Sequence, residues 1–109
     1  LDGIVFEYTY NPKVLKLSPK GVKMLGMPQN IMDPGTSKHW SNPASAENWE
    51  IIQKKLNNLV PEKNNFNFEA HMKINDQDIP CTINIQQVWN LNAEKPVPVA
   101  AYGHISPTK

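Results

Sequence analysis

The chain has 109 residues, eleven basic and ten acidic side chains, a formal net charge of +1, and 39% hydrophobic against 19% charged residues. That length fits one domain around one core, and the balance of apolar to charged residues fits a folded chain and excludes a disordered one. No basic patch or stripe of the kind a nucleic-acid partner requires is present, Lys54-Lys55 being the only adjacent basic pair, and no apolar run approaches the roughly 20 residues of a membrane span.

The opening Leu1, in place of a start methionine, reads as the edge of a segment excised from a larger protein, with no signal peptide in view. Residues 4–10 alternate Ile4, Phe6, Tyr8 and Tyr10 with Val5, Glu7 and Thr9, which predicts a half-buried strand with one aromatic face. Asn11-Pro12 marks a turn, because proline presets φ and asparagine tolerates turn conformations. A short return strand follows at 14–17. Ser18-Pro19 then predicts a helix start, with a serine cap and proline at the first helical position, and Gly26 a left-handed stop. Met24 and Leu25 are placed on the inner side of that helix.

Residues 27–43 carry Pro, Gly, Ser and Asn without periodicity, which predicts short turns and irregular helix. Ser45 is the expected cap of a helix over 46–59, in which Trp49, Ile52, Leu56 and Leu59 recur at helical spacing before Pro61. Its opposite face carries Glu50, Lys54, Lys55 and Asn58. Phe66, Phe68, Ala70, Met72 and Ile74 then alternate with polar residues, giving the clearest strand. Asn75-Asp76-Gln77-Asp78 reads as a polar hairpin loop, 79–89 as a long strand, 90–95 as a second polar loop and 97–105 as a last strand. Pro98 removes an amide donor and so belongs at an edge or a strand start. The last three strands form a meander.

Cys81, the single cysteine, excludes an internal disulfide and fits a reducing compartment. Its period-two spacing with Ile79, Ile83 and Ile85 places it in the core as a small apolar residue, away from any base that would activate it.

Two strands, short helices, one longer helix and a three-stranded meander follow the order of a PAS domain. The stretch FEYTYNPKVLKLSPKGVKMLG resembles the opening of the PAS subgroup common in bacterial diguanylate cyclases and sensor histidine kinases. Trp40 with Asn42-Pro43-Ala44-Ser45 resembles that subgroup's tryptophan and helix start, although Asn42, Ala44 and Ser45 stand where histidine, an acidic residue and aspartate are usual. Phe68-Glu69-Ala70-His71 sits at its Phe-Glu-aromatic-Arg strand, and Gly103-His104-Ile105 at its closing glycine-x-isoleucine. Ser106-Pro107-Thr108 stands in place of the usual aspartate-isoleucine-threonine exit.

The resemblance implies an α+β fold, a five-stranded antiparallel sheet of spatial order 2-1-5-4-3 with helices on one face. The domain then spans 1–109, with its core at 4–105 and an exit linker beginning at 106–109. It also implies a pocket between the sheet and the helices, walled by Phe6, Tyr8, Met24, Leu25, Trp49, Ile52, Leu56, Phe68, Ala70, Met72, Ile83 and Ile85. The same residues must build the core, where close packing leaves few voids. Ala70 stands where relatives place a ring, so a methyl there leaves space, which Met24, Met27 and Met72 are suited to line.

Haem is disfavoured, because the long helix holds no histidine, and cysteinyl-flavin chemistry is disfavoured by the position of Cys81. His39, His71 and His104 are too dispersed for a metal motif, and His71 points outward by parity. Glu7 and Glu69 lie on outward parities of separate strands, and no phosphate loop or hydrolase elbow is present, so no enzyme is expected. The expectation is a cytoplasmic sensory module of a bacterial signalling protein, whose parent is free to carry a membrane anchor. It would bind a small molecule or relay a conformational change to an attached diguanylate cyclase or histidine kinase. The alternative is a ligand-free dimerisation module that uses outward Val5, Val88 and Tyr102. Partners are therefore a small ligand, a second copy and an output domain, with no nucleic acid and no direct membrane contact.

Overall fold

The computed structural model describes residues 3–36, 43–92 and 94–108. The aromatic alternation forms β1 (Ile4–Tyr10), with Ile4, Phe6 and Tyr8 buried, and turns at Asn11-Pro12 into β2 (Lys13–Leu17). Thr9 Oγ1 donates to the Pro12 carbonyl at 2.8 Å and closes that turn. Helix α1 (Pro19–Leu25) is capped as its residues suggest. Ser18 Oγ accepts from the Gly21 amide at 3.2 Å, Pro19 opens the helix, and Gly26 ends it at φ 65°, its amide donating to the Val22 carbonyl.

The expected irregular segment after α1 contains a further strand, β3 (Asn30–Met32), followed by a 3-10 turn at Pro34–Thr36. Ile31 is fully buried, and β3 pairs with β2 through Val14, Leu15 and Lys16. The sheet therefore has six strands, not five. Helix α2 (Pro43–Leu56) begins before Ser45, which thus stands inside its first turn and is not its cap. Proline suits that first position because its fixed φ is helical and its missing amide would have no partner there. The helix also stops three residues earlier than expected, at the poor helix formers Asn57-Asn58. Trp40 and Asn42, which carry part of the PAS resemblance, and His39, one of the three dispersed histidines, lie outside the described residues.

The meander consists of β4 (Asn65–Ile74), β5 (Gln77–Asn90) and β6 (Val97–Pro107). Its first loop is tighter than the four polar residues suggest. Only Asn75 and Asp76 turn, both in the left-handed region at φ 51° and 63°, while Gln77 and Asp78 already pair with Ile74 and Lys73. Two successive positive φ values match the twist of a right-handed hairpin. Pro98 pairs with Trp89 beside a register shift at Val88/Trp89, which is where a ladder tolerates a missing donor. β6 runs on to Pro107, paired with Cys81, two residues beyond the expected strand end.

The sheet is antiparallel in the order β3-β2-β1-β6-β5-β4, so the five longer strands lie in the expected sequence and β3 adds an edge beside β2. The fold is α+β with an open sheet. β1 and β6 are central, and their register joins Ile4 to Ile105, Phe6 to Gly103 and Tyr8 to Ala101. The core lies on the face that carries these residues, where Trp49, Ile52 and Leu56 of α2 meet Ile83 and Ile85 of β5 and Met72 and Ile74 of β4. Gly103 has a specific place in it: a Cβ there would fall within the Phe6 ring, so the aromatic side chain lies directly on the β6 backbone.

Candidate functional site

Period-two alternation on β1, β2, β4, β5 and β6 and the helical stripe of α2 leave a partly open apolar space between them. It has a volume of about 40 Å³ and is lined by Phe6, Leu15, Leu17, Leu25, Met27, Asn48, Trp49, Ile52, Met72, Ile83 and Ile105. A cavity of that size exceeds one water but is far below the roughly 300 Å³ of an ordinary small-molecule site. As it stands, the space admits only a few atoms. Leu25 and Met27, at the end of α1 and just beyond it, are the half-buried apolar members of its wall.

Asn48 is the polar member of the wall. Its Nδ2 donates to the His71 carbonyl at 3.1 Å and touches Met72 Sδ at 3.2 Å, which ties the first half of α2 to the edge strand β4. Trp49, the next residue, stands edge-on to Tyr8 with centroids 5.0 Å apart, and Tyr8 is edge-on to Tyr10 at 5.1 Å. Burial raises the phenol pKa of Tyr8 above the ordinary 10.0, with the Gln53 amide pulling it partly back and the Asp33 charge adding to the rise. Both aromatic contacts fix the ring orientations along the sheet.

Of the pocket residues expected from sequence, Phe6, Leu25, Trp49, Ile52, Met72 and Ile83 meet around this space. Tyr8 and Leu56 are buried but face other hollows, Tyr8 toward Lys13 and Asp33 and Leu56 toward Tyr10 and Gln87. Ile85 is packed in the core away from the cavity. Met24 is half-buried on α1, its carbonyl accepting from the Asn75 amide at 2.9 Å. Phe68 and Ala70 are half-buried on the outermost strand, where Phe68 stacks on Phe66 at 6.2 Å beneath Lys55 Nζ. The space therefore lies not beside Ala70 but at Met72, two residues further along β4 and in contact with Asn48 of α2.

Sequence reasoning missed Leu15, Leu17, Asn48 and Ile105. The two leucines were visible as the apolar residues of the return strand, and Ile105 as the last inward residue of β6. Asn48 left no signal, since a half-buried asparagine on a helix flank resembles any solvated one.

Cys81 is fully buried, its thiol pKa raised by desolvation, so it stays protonated and unreactive. His71 is exposed, 3.9 Å from Asp78, and Glu69 is exposed on the outer face. Among the described residues no group of three or more His, Cys, Asp or Glu side chains is placed to hold a metal ion, and no helix is long and apolar enough to cross a membrane. The outer sheet face exposes Val5, Val88 and Tyr102, at 52%, 38% and 48% of their surface, among polar residues such as Glu69, Asn84, Gln86 and His104. Comparison with protein-family models, with curated proteins and with solved structures finds no match to this chain.

Proposed function

We propose that this chain is a sensory or regulatory module of the PAS kind, acting on an attached output domain such as a diguanylate cyclase or a histidine kinase. The observation that carries the reading is the arrangement around the central strand pair. Phe6 and Ile105 face the small cavity, while Val5 and Tyr102 on the same two strands face outward. A change in packing under α2 is thereby one peptide unit away from a surface able to meet a partner. A ligand shifts such a system only through its different affinity for the two packings, so entry must displace Leu25 or Met27 or be limited to a few atoms. In this reading the module is cytoplasmic and catalyses nothing itself.

The exposed Val5, Val88 and Tyr102 favour a second reading, a ligand-free module that dimerises through its sheet. Native mass spectrometry of freshly purified protein separates the two. Mass lost on denaturation supports ligand sensing, and a bare dimer supports the relay. A bare monomer at all accessible concentrations refutes both.

A further inference from the structure

The two edges of the sheet are built differently. At one, β3 is three residues long, a strand too short to offer another chain much to pair with. At the other, β4 runs for ten residues with no proline and no register shift against β5. Brevity, proline and bulges are what usually protect an edge, and a long strand without them is a template for a further strand.

The direction of the backbone groups on β4 follows from its contacts. The Gln87 amide donates to the Asn64 carbonyl at 2.7 Å, and the Asn65–Gln86 register continues that ladder. Even-numbered residues of β4 therefore spend their amides and carbonyls on β5, and odd-numbered ones point theirs away from the sheet. Two contacts on the far side agree: the His71 carbonyl accepts from Asn48 of α2 at 3.1 Å, and the Asn75 amide donates to the Met24 carbonyl of α1 at 2.9 Å. The two helices thus hold one half of the edge. In the other half, among the described residues, nothing pairs with the outward amides and carbonyls of Asn65, Asn67 and Glu69. That open half also carries the apolar side chains that the helices cover least. Met72 and Ile74 are buried, whereas Phe66 and Phe68 are half-buried, stacked at 6.2 Å with Lys55 Nζ 5.8 and 6.0 Å from their rings.

We propose that residues 65–69 are a docking site for the same segment of a second copy, paired antiparallel about a two-fold axis through Asn67. Self-complementarity selects this occupant. With the axis there, Asn67 exchanges both its bonds with its own mate and Asn65 exchanges both with the partner's Glu69, so every outward group of Asn65, Asn67 and Glu69 is used. Phe66 then stands opposite the partner's Phe68 at the positions without hydrogen bonds, where cross-strand side chains approach most closely, and the rings of both copies cover one another. No like charges meet across the ladder. Moving the axis to Phe68 calls on the His71 carbonyl that Asn48 holds, and moving it to Glu69 sets carboxylate against carboxylate. Moving it to Phe66 leaves Glu69 beyond the start of the partner's strand. A ladder this short fits a weak, reversible pair, with a Kd on the order of 10–100 µM. The contact joins two sheets edge to edge and leaves Val5, Val88 and Tyr102 free, so it is separate from dimerisation through the outer face and does not rest on the regulatory reading.

The test is sedimentation equilibrium of the parent and its variants from about 1 µM to about 1 mM, with circular dichroism to check folding. The expected result is a reversible monomer–dimer equilibrium. Asn67→Pro removes the amide on the axis, at an edge position where proline is tolerated, and should weaken the pair at least about tenfold. Asn67 is exposed, so Asn67→Lys and Asn67→Asp leave the monomer intact; each alone sets like charges together on the axis and should weaken the pair likewise, while an equimolar mixture of the two should recover dimers. These two carry the test if Asn67→Pro does not fold. Tyr102→Lys, on the outer face, should leave the affinity unchanged. A parent that stays monomeric throughout, an unchanged affinity in folded Asn67→Pro, or a Lys and Asp mixture that stays monomeric would each overturn the proposal. Dimers lost in Tyr102→Lys would assign the contact to the outer face and overturn it too. A monomer that carries a ligand would overturn this pairing and leave the regulatory reading standing.

Discussion

Gly103→Ala probes the contact that shapes the apolar cavity. At an ordinary strand position the change from glycine to alanine stabilises by about 0.5–1 kcal/mol, since glycine loses more conformational freedom on folding. Here the new Cβ would land within the Phe6 ring. Carbon atoms in contact sit ~3.5–4 Å apart, so the ring must withdraw by roughly 1–2 Å, away from the sheet and into the cavity it lines. Overpacking of this kind costs about 1–3 kcal/mol, and the small cavity absorbs part of the displacement, so a net loss of about 2 kcal/mol is expected. For a chain of this length that corresponds to a fall in Tm of roughly 8–10 °C, measurable by circular dichroism together with urea unfolding. The control is Phe6→Leu, which removes the ring. In that background Gly103→Ala should be neutral or favourable, giving a coupling of at least ~1.5 kcal/mol in the double-mutant cycle. Equal effects in both backgrounds, or a Gly103→Ala protein as stable as the parent, would refute the close seating of Phe6 on β6.

Asp76→Gly replaces an L-residue held at φ 63° in the hairpin and should stabilise by on the order of 0.5 kcal/mol, seen as a higher urea midpoint with an unchanged slope. The phenol pKa values of Tyr8 and Tyr10 are raised above 10.0, chiefly by burial, so the folded state holds these protons more tightly than the unfolded one. Stability is then unaffected by them below pH 10 and falls as pH rises from 10 through their folded values; Tyr10→Phe should flatten that decline in an alkaline unfolding series. Cys81 should resist a thiol reagent under native conditions and react fully in denaturant, and prompt reaction of the native protein would contradict its burial.

Most of the fold was legible because two local signals agree with the tertiary answer. The alternation of Phe6 and Tyr8, of Met72 and Ile74 and of Ile83 and Ile85 is a period that only a one-sided sheet satisfies, and the Ser18-Pro19 start and Gly26 stop act within one helical turn. β3 escaped notice because three residues are too few for a period, and Asn30–Met32 is a strand only through its pairing with β2. The α2 boundaries shifted because Ser45 is a good cap in isolation, whereas Pro43 is a better first residue. For the cavity, parity tells which side of the sheet a residue faces but not how far along it the helix layer reaches. Phe68 and Ala70 point inward as expected and still miss the cavity, which meets β4 only further along, at Met72. Gln87 is a polar residue on the apolar parity of β5, and Gln53 lies at helical spacing from Trp49, so strand alternation and helical period turn both inward.

The Ile4–Ile105 pairing has a mechanical consequence. β1 enters and β6 leaves at the same end of two neighbouring strands in the middle of the sheet. Tension applied between those two points loads the ladder from one end, so its hydrogen bonds open one pair at a time, as in a zipper, instead of shearing together. The centre of the sheet is thus its most compliant seam to a pull from outside, and the first pairs to part, Ile4 with Ile105 and Phe6 with Gly103, are those beneath the apolar cavity.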